Sequence, residues 1–395
     1  MNNRIKNIYI PKLRFKGFAD LLIRKKLNDI CIIKKGDQIN NSELKESGLY
    51  YYQNGGIEPS GWLDNFNNEG NAISISEGGE SCGFIKWHDL PFWSGGHLYT
   101  LDINDKNINK KYIYFLLKAN QKFIMKLRNG SSIPNIQKQD LNKFFLFHSN
   151  NLNEQEKIAK FFSLLDQQLS LFENKLQLIE QKFKYFLNGL FNLHNEKSIL
   201  RFKTFNNKWT LKKIEEITTF MKSGGTPKSR SDLFYSNNGI PFLAIPDMKN
   251  KYLLKTDKHI TNLAVEKTST FIFEKDNLVY SIYATIGEIS INKIDVALPQ
   301  SILGIKADKT VIKNEYLYYL LKSNKNKILR LKQTGSQPNL SLEIFKNISL
   351  YISLNLEEQS KISKFLNLFD LWKETVKNNI YLVKKRKEHF LKQMF

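Results

Sequence analysis

Asp37, Glu43 and Lys45 are the bare residue types of a metal-dependent nuclease: two carboxylates for a divalent ion and an ammonium for the developing charge. The pattern is short and common by chance. Gly224-Gly-Thr-Pro-Lys-Ser229 has the look of a phosphate cradle but lacks the glycine before lysine of a P-loop, so a turn with basic flanks is the plainer reading. His88, His97, His148, His194, His259 and His389 are scattered, and Cys31 and Cys82 stand far apart without a CxxC pair. No metal site, disulfide framework, glycine fingerprint for a dinucleotide or methyl donor, or catalytic residue is expected. Cations remain. Lys34, Lys35, Arg128, Lys222, Lys228, Arg230, Lys249, Lys251, Arg330 and Lys332 sit in or beside expected loops, with Ser131, Asn135, Thr226, Ser336 and Asn339 among them. Flexible cations can meet phosphates there while Arg, Asn, Gln and Ser read base edges. Any one lysine alone reads as a solvated surface charge; the set, flanking two repeated loops, points to DNA.

The bulk composition agrees. A chain of 395 residues that is 41% hydrophobic and 25% charged suits a soluble protein of two or three domains. A net charge of +22 with a pI near 9.6 calls for a polyanionic partner, nucleic acid before membrane, since no lipidation motif or basic amphipathic anchor accompanies it. A surface enriched in Lys, Asn and Ile by a low-GC genome accounts for part of that charge only. No apolar leader or membrane-spanning run is present, so the expected location is the cytoplasm, associated with the nucleoid.

The elements that must position these cations come in two copies. Asn151 to Phe191 recurs as Asn355 to Phe395 at an offset of 204 residues (359 − 155), without a gap. Both copies open Asn-x-x-Glu, a helix start in which the Asn accepts from an orphan N–H and the Glu reaches back toward the positive helix end. Ile158, Phe162, Leu165, Leu169, Phe172, Leu176, Ile179 and Phe183 then step by four and three, as do Ile362, Leu366, Phe369, Val376, Ile380 and Val383. That is the seam of a coiled coil. Lys373 and Lys387 replace apolar residues of the first copy and are expected to snorkel from a looser seam. Either helix alone could be an ordinary amphipathic core helix, but two, each roughly 55–60 Å long at about 1.5 Å per residue, favour mutual packing.

Ahead of each long helix, Tyr112-Ile-Tyr-Phe-Leu-Leu-Lys118 recurs as Tyr316-Leu-Tyr-Tyr-Leu-Leu-Lys322, followed by loops at Gly130 to Asn135 and Gly335 to Asn339. Short runs at 71–76, 83–87 and 97–101 alternate as strands do. Residues 221–300 do not align with 37–100, so similar frames are expected to hold dissimilar inserts. The resulting partition is 1–150, a spacer helix at 151–192, 193–354, and a second spacer helix at 355–395.

Pro134-Asn-Ile-Gln-Lys-Gln-Asp-Leu141 leading to Leu152-Asn-Glu-Gln-Glu-Lys-Ile158, with its copy at Pro338-Asn-Leu340 and Leu356-Glu-Glu-Gln-Ser-Lys-Ile362, resembles the specificity subunit of type I restriction-modification systems. Pro91 to Thr100, Ser223 to Lys228, Ala284 to Gly287 and Ala297 to Ser301 are similar too, so the resemblance covers nearly the whole chain. It implies an α+β fold: two mixed α/β target-recognition domains separated by two long antiparallel helices in a coiled coil, related by a pseudo-twofold. It also implies a non-catalytic subunit that binds a bipartite double-stranded DNA target and recruits two methyltransferase subunits, optionally with two restriction (motor-nuclease) subunits. S-adenosylmethionine, ATP and magnesium would belong to those partners, with no cofactor in this chain. The helices would act as a ruler, so about four residues inserted near Gln168, some 6 Å of helix, should lengthen the unread spacer by one or two base pairs. The other reading is a stand-alone, repressor-like duplicated DNA-binding protein without such partners.

Overall fold

The computed structural model describes residues 8–130, 134–194, 197–228, 233–331 and 339–395. By its contacts the chain divides into two compact units, Met1–Glu173 with Asn378–Phe395, and Asn174–Lys377. This division runs through both long helices, Leu152–Phe191 and Leu356–Met394, and differs from the repeat-based partition of the sequence. Each unit therefore holds the start of one helix and the end of the other.

In the first unit a four-stranded antiparallel sheet runs Ile32–Lys35, Leu98–Asp102, Ala72–Ser76, Ile85–His88. A three-stranded sheet runs Gly61–Leu63, Tyr50–Gln53, Trp93–Ser94, its last pair parallel. Helix Lys110–Ile124 buries Tyr112, Ile113, Phe115, Leu116 and Leu117. The alternation in Ala72–Ser76 suggests one wet face, yet all five residues are buried. The polar face is satisfied from within: Ser74 Oγ lies 2.6 Å from His88 Nε2, Tyr51 Oη lies 2.8 Å from His88 Nδ1, and Phe92 stacks on the imidazole at 3.9 Å. Burial pushes the His88 imidazole down to about 3, so it is neutral.

The second unit repeats this plan and adds one strand to the edge of each sheet. Its larger sheet runs Thr218–Ser223, Ile302–Ala307, Leu278–Ser281, Ile289–Asn292, with Tyr252–Leu253 added at the edge. Its smaller sheet runs Lys258–Ile260, Tyr235–Phe242, Val296–Ala297, Ile272–Phe273, and the pairing of Phe242 with Ala297 is parallel, as that of Tyr52 with Trp93 is. The expectation of dissimilar inserts is corrected for the shared strand order only, since Tyr252–Leu253, Ile272–Phe273 and helix Asn262–Lys267 are additions of the second unit. Strand order is set by which positions are apolar, which many sequences satisfy.

The long helices pack antiparallel inside each unit. Phe161 meets Phe390 at 5.1 Å and 82° in the first, and Phe186 meets Phe365 at 5.0 Å and 85° in the second, the same pair displaced by the repeat. Ile158, Phe162, Leu165, Ile179, Phe183, Ile362, Leu366, Phe369, Val376 and Val383 are buried. Leu169, Phe172, Leu176 and Ile380 are only half-buried, so the seam is tightest beside the heads. Lys373 and Lys387 do not loosen it. Lys373 Nζ sits 3.9 Å above the Phe183 ring and 2.6 Å from Asp370, while Lys387 pairs with Asp166 above the Phe115 ring. Each ammonium finds a carboxylate and an aromatic face on the seam and has no need to reach for water.

The helix starts also differ from expectation. Asn151 Oδ1 accepts from the Glu154 N–H at 3.2 Å, but Glu154 does not reach back. Its carboxylate is held by Arg14 Nε and Nη2 at 2.5 and 2.8 Å and by Ser149 Oγ at 2.6 Å. Arg201 does the same for Glu358 at 2.7 and 2.9 Å, with Ser353 Oγ at 2.5 Å. Each arginine, on an irregular segment ahead of its unit's larger and smaller sheets, pins that segment to the start of the long helix.

Candidate nucleic-acid interface

Two segments of each unit meet where the repeated loop leaves the helix. In the first unit the Gly79 N–H donates to Pro134 O at 3.0 Å, Ile136 N–H to Glu77 O at 2.8 Å, and Asn129 and Asn135 exchange backbone bonds at 2.8 and 2.9 Å. In the second unit Leu340 N–H donates to Ile282 O at 2.9 Å and Tyr283 bridges Asn339. The turn after the third strand of each large sheet is thus stitched to the loop after the helix.

Around these turns lie the candidate cations. Lys34 and Lys35 close strand Ile32–Lys35, beside the loop that follows rather than in it. Lys34 pairs with Asp102 at 2.7 Å and Lys35 with Glu77 at 2.6 Å. Arg128 is exposed beside Asn129, and Asn135 is half-buried with its Oδ1 enclosed and without a partner among the described residues. Lys222 lies near the end of strand Thr218–Ser223, beside the following loop, with its ammonium 5.0 Å above Phe271. Thr226 Oγ1 accepts from the Gln300 N–H at 3.3 Å, and Lys228 is exposed. Asn339 carries the bridge to Tyr283; Ser131, Arg230, Lys332 and Ser336 lie outside the described residues. Lys249 and Arg330 are exposed in the second unit. Lys251 is not a surface cation: it is 8% exposed, bonded to Asn367 and 3.3 Å from Glu315, and burial pushes its ammonium down.

The glycine-rich turn at 224–225 proves structural. A Cβ on Gly224 would stand 1.7 Å from Leu298 O, and one on Gly225 would stand 2.1 Å from Ser269 Oγ, so these glycines admit close backbone approach. Two of the nuclease-like trio are spent on neighbours: Lys45 pairs with Asp64 and Asp37 accepts from Asn67 at 3.2 Å.

Residues 24–181 and 206–383 match the family model described as the type I restriction modification DNA specificity domain. The chain belongs to that family. It is 26% identical over 399 residues to a Mycoplasma genitalium protein provisionally named a type I specificity subunit, covering 98% of this chain and 96% of that one. Its fold is that of the crystal structure of a type I restriction-modification S subunit from M. genitalium, with a TM-score of 0.72 at 24% identity over 98% of both chains. A structure titled for complex assembly of the type I R-M system is similar at a TM-score of 0.57 and 12% identity, over 93% of this chain and 96% of that one.

This type I specificity subunit recognises DNA, and its fold brings together polar residues that sequence reasoning missed. Glu77, 5% exposed, gathers Lys35, the Tyr99 hydroxyl at 2.9 Å and His97 Nδ1 at 3.4 Å. Burial pushes the Glu77 carboxyl up, but Lys35, Tyr99 and His97 outweigh it and hold the group below the ordinary carboxylate value. In the second unit an open groove of about 570 Å³ is lined by Tyr235, Ser236, Asn237, Asp257, Lys258 and His259. It forms because Tyr235 and Ile240 both pair with Ile260, so the intervening residues bulge outward; Gly239 allows it, since a Cβ there would lie 2.2 Å from Ile260 O. Tyr235 Oη donates to Pro227 O at 3.1 Å, fixing the loop of Thr226 and Lys228 beside this groove. The Asn-Asn-Gly triplet was the available signal.

Proposed function

We propose that the subunit reads a bipartite duplex target, one half with each head, and presents it to two methyltransferase subunits, with two motor-nuclease subunits as optional company. The observation that carries this reading is one topology used twice with unlike surfaces: exposed Lys35 and His97 held by the buried Glu77 in the first unit, the Tyr235 to His259 groove in the second. A protein reading one repeated half-site would need only one surface. In this reading the heads correspond to 1–150 and 193–354, the helices to 151–192 and 355–395, and the setting is the cytoplasm. S-adenosylmethionine, ATP and magnesium serve the partner subunits, and this chain supplies no catalysis.

The long helices offer the partners a surface. In the second unit Leu178, Ile179, Phe369, Trp372 and Val376 line a groove of about 390 Å³, with Leu178 and Trp372 half exposed. In the first unit Leu164, Leu171, Tyr381 and Leu382 are exposed on the same two helices. Apolar side chains grouped on a solvated helix mark a protein interface.

Methylome sequencing of a host with and without this gene, the methyltransferase gene present in both, tests the reading. The expected result is a modified motif of two short specified halves around unspecified bases, present only with the gene. A single continuous motif, or modification independent of the gene, overturns it.

A further inference from the structure

We propose that a lysine-lined pocket in the second unit seats a backbone phosphate of the bound duplex, a site that rests on the DNA-recognition reading and adds a fixed, sequence-independent contact to it. The pocket holds about 160 Å³ between the loop at Met248–Lys251, the turn at Gly287–Ile289, the helical stretch around Tyr318–Lys325 and the second long helix. Lys249, Lys251, Lys322, Lys325, Lys373 and Lys377 line it, against Glu288, Asp370 and Glu374.

The question is which charges are already committed. Lys251 is taken by Asn367 and Glu315, Lys325 by Glu288 at 2.7 Å, and Lys373 by Asp370 at 2.6 Å. Lys322, largely enclosed, has as its one hydrogen bond among the described residues the Tyr318 hydroxyl at 3.1 Å. Lys249 and Lys377 are exposed at the rim and make no hydrogen bond or ion pair among the described residues; Glu374 is the one lining carboxylate equally uncommitted. Two uncommitted ammonium groups at the rim, with Lys322 on a neutral hydroxyl behind them, thus face one uncommitted carboxylate. Lys322 also lies over the Phe183 and Tyr318 rings at 5.5 and 5.2 Å and feels Asp370, but that carboxylate is already paired with Lys373, and an anion entering from the rim would give the enclosed ammonium a counter-charge of its own. Burial pushes the Lys322 ammonium down, with Asp370 opposing, so the site gains most from a ligand with full negative charge.

The first unit lacks this vacancy of charge. There the equivalent residue, Lys118, donates to Ile85 O at 3.2 Å and Gln121 Oε1 at 2.8 Å. The same lysine donates to a carbonyl and an amide in one head and to a single hydroxyl in the other. Phosphodiester is the polyanion a DNA-recognition chain meets, and phosphate contacts fix register without reading sequence.

The test uses the full chain and a short duplex of arbitrary sequence in a salt series. Lys249→Gln with Lys377→Gln removes two exposed groups, and Lys275→Gln with Lys309→Gln, exposed elsewhere on the same unit, is the charge-matched control. At about 0.9 in log K per log salt for each phosphate neutralised, loss of the one seated phosphate should flatten the slope by about 0.9 and weaken binding roughly fivefold at about 0.15 M salt. The control should keep the wild-type slope. An unchanged slope in the first pair, or an equal loss in the control, overturns the seat. A third arm measures the thermal midpoint in inorganic phosphate: protection of the wild type but not of the first pair, with the DNA slope unchanged, overturns the duplex as the source. If the wild-type chain shows no steep salt dependence, the DNA-recognition reading itself fails, a result distinct from the others.

Discussion

Arg201→Ala should unravel the second unit selectively. The guanidinium makes two bonds to Glu358, whose side chain is fully enclosed at 0% exposure while that of Arg201 is 11% exposed. Truncating the arginine leaves a buried carboxylate with only the Ser353 hydroxyl at 2.5 Å and a missing counter-charge. Breaking such a pair from one side costs about 3–5 kcal/mol. For a unit of this size each kcal/mol is worth about 2–4 °C, so the thermal midpoint should fall by about 6–20 °C. Replacing both partners, Arg201→Met with Glu358→Gln, should return most of the loss, because no uncompensated charge remains. Hydrogen exchange locates the effect: amides of 210–352 should lose protection while those of 22–148, served by Arg14 and Glu154, keep theirs. A cost under about 1 kcal/mol, or no recovery in the double variant, refutes the argument that these pairs anchor the heads to the helices.

Three further outcomes follow from the same geometry. Phe162→Ala should cost about 3–5 kcal/mol in urea unfolding, since the ring is fully buried against Phe115 at 5.1 Å and Phe395 at 5.9 Å, whereas Leu169→Ala, on the half-buried stretch, should cost far less; equal costs would contradict a seam that tightens beside the heads. Lys35→Met should destabilise the first unit at pH 7. In the wild type the depressed Glu77 carboxyl contributes stability above the unfolded value of about 4.3 and loses it as pH falls through the folded one, so the difference between the two proteins should shrink on acidification and a pH-independent difference would oppose it. Trp372→Glu, half exposed in the helix groove, should leave the melting temperature near wild type and abolish co-purification with the methyltransferase; intact co-purification would remove the groove from the docking surface.

The sequence carried the duplication, the strands at 72–76 and 98–102, both long helices to within a residue or two, and the family itself, because apolar period and repeated motifs are local properties. Periodicity says which face of a helix is apolar but never which distant residue covers it. Phe191 and Phe395 end equivalent helices, yet Phe395 lies 5.6 Å from Tyr112 in the first unit and Phe191 lies 5.3 Å from Tyr316 in the second. Each head thus closes over the end of the helix that begins in the other. Nor does a lysine's letter reveal its surroundings: Lys251 is buried in a polar network, Lys118 donates to a carbonyl and an amide, and Lys322, its repeat, donates to the Tyr318 hydroxyl. Those fates depend on contacts between residues far apart in the chain, which only the folded arrangement creates.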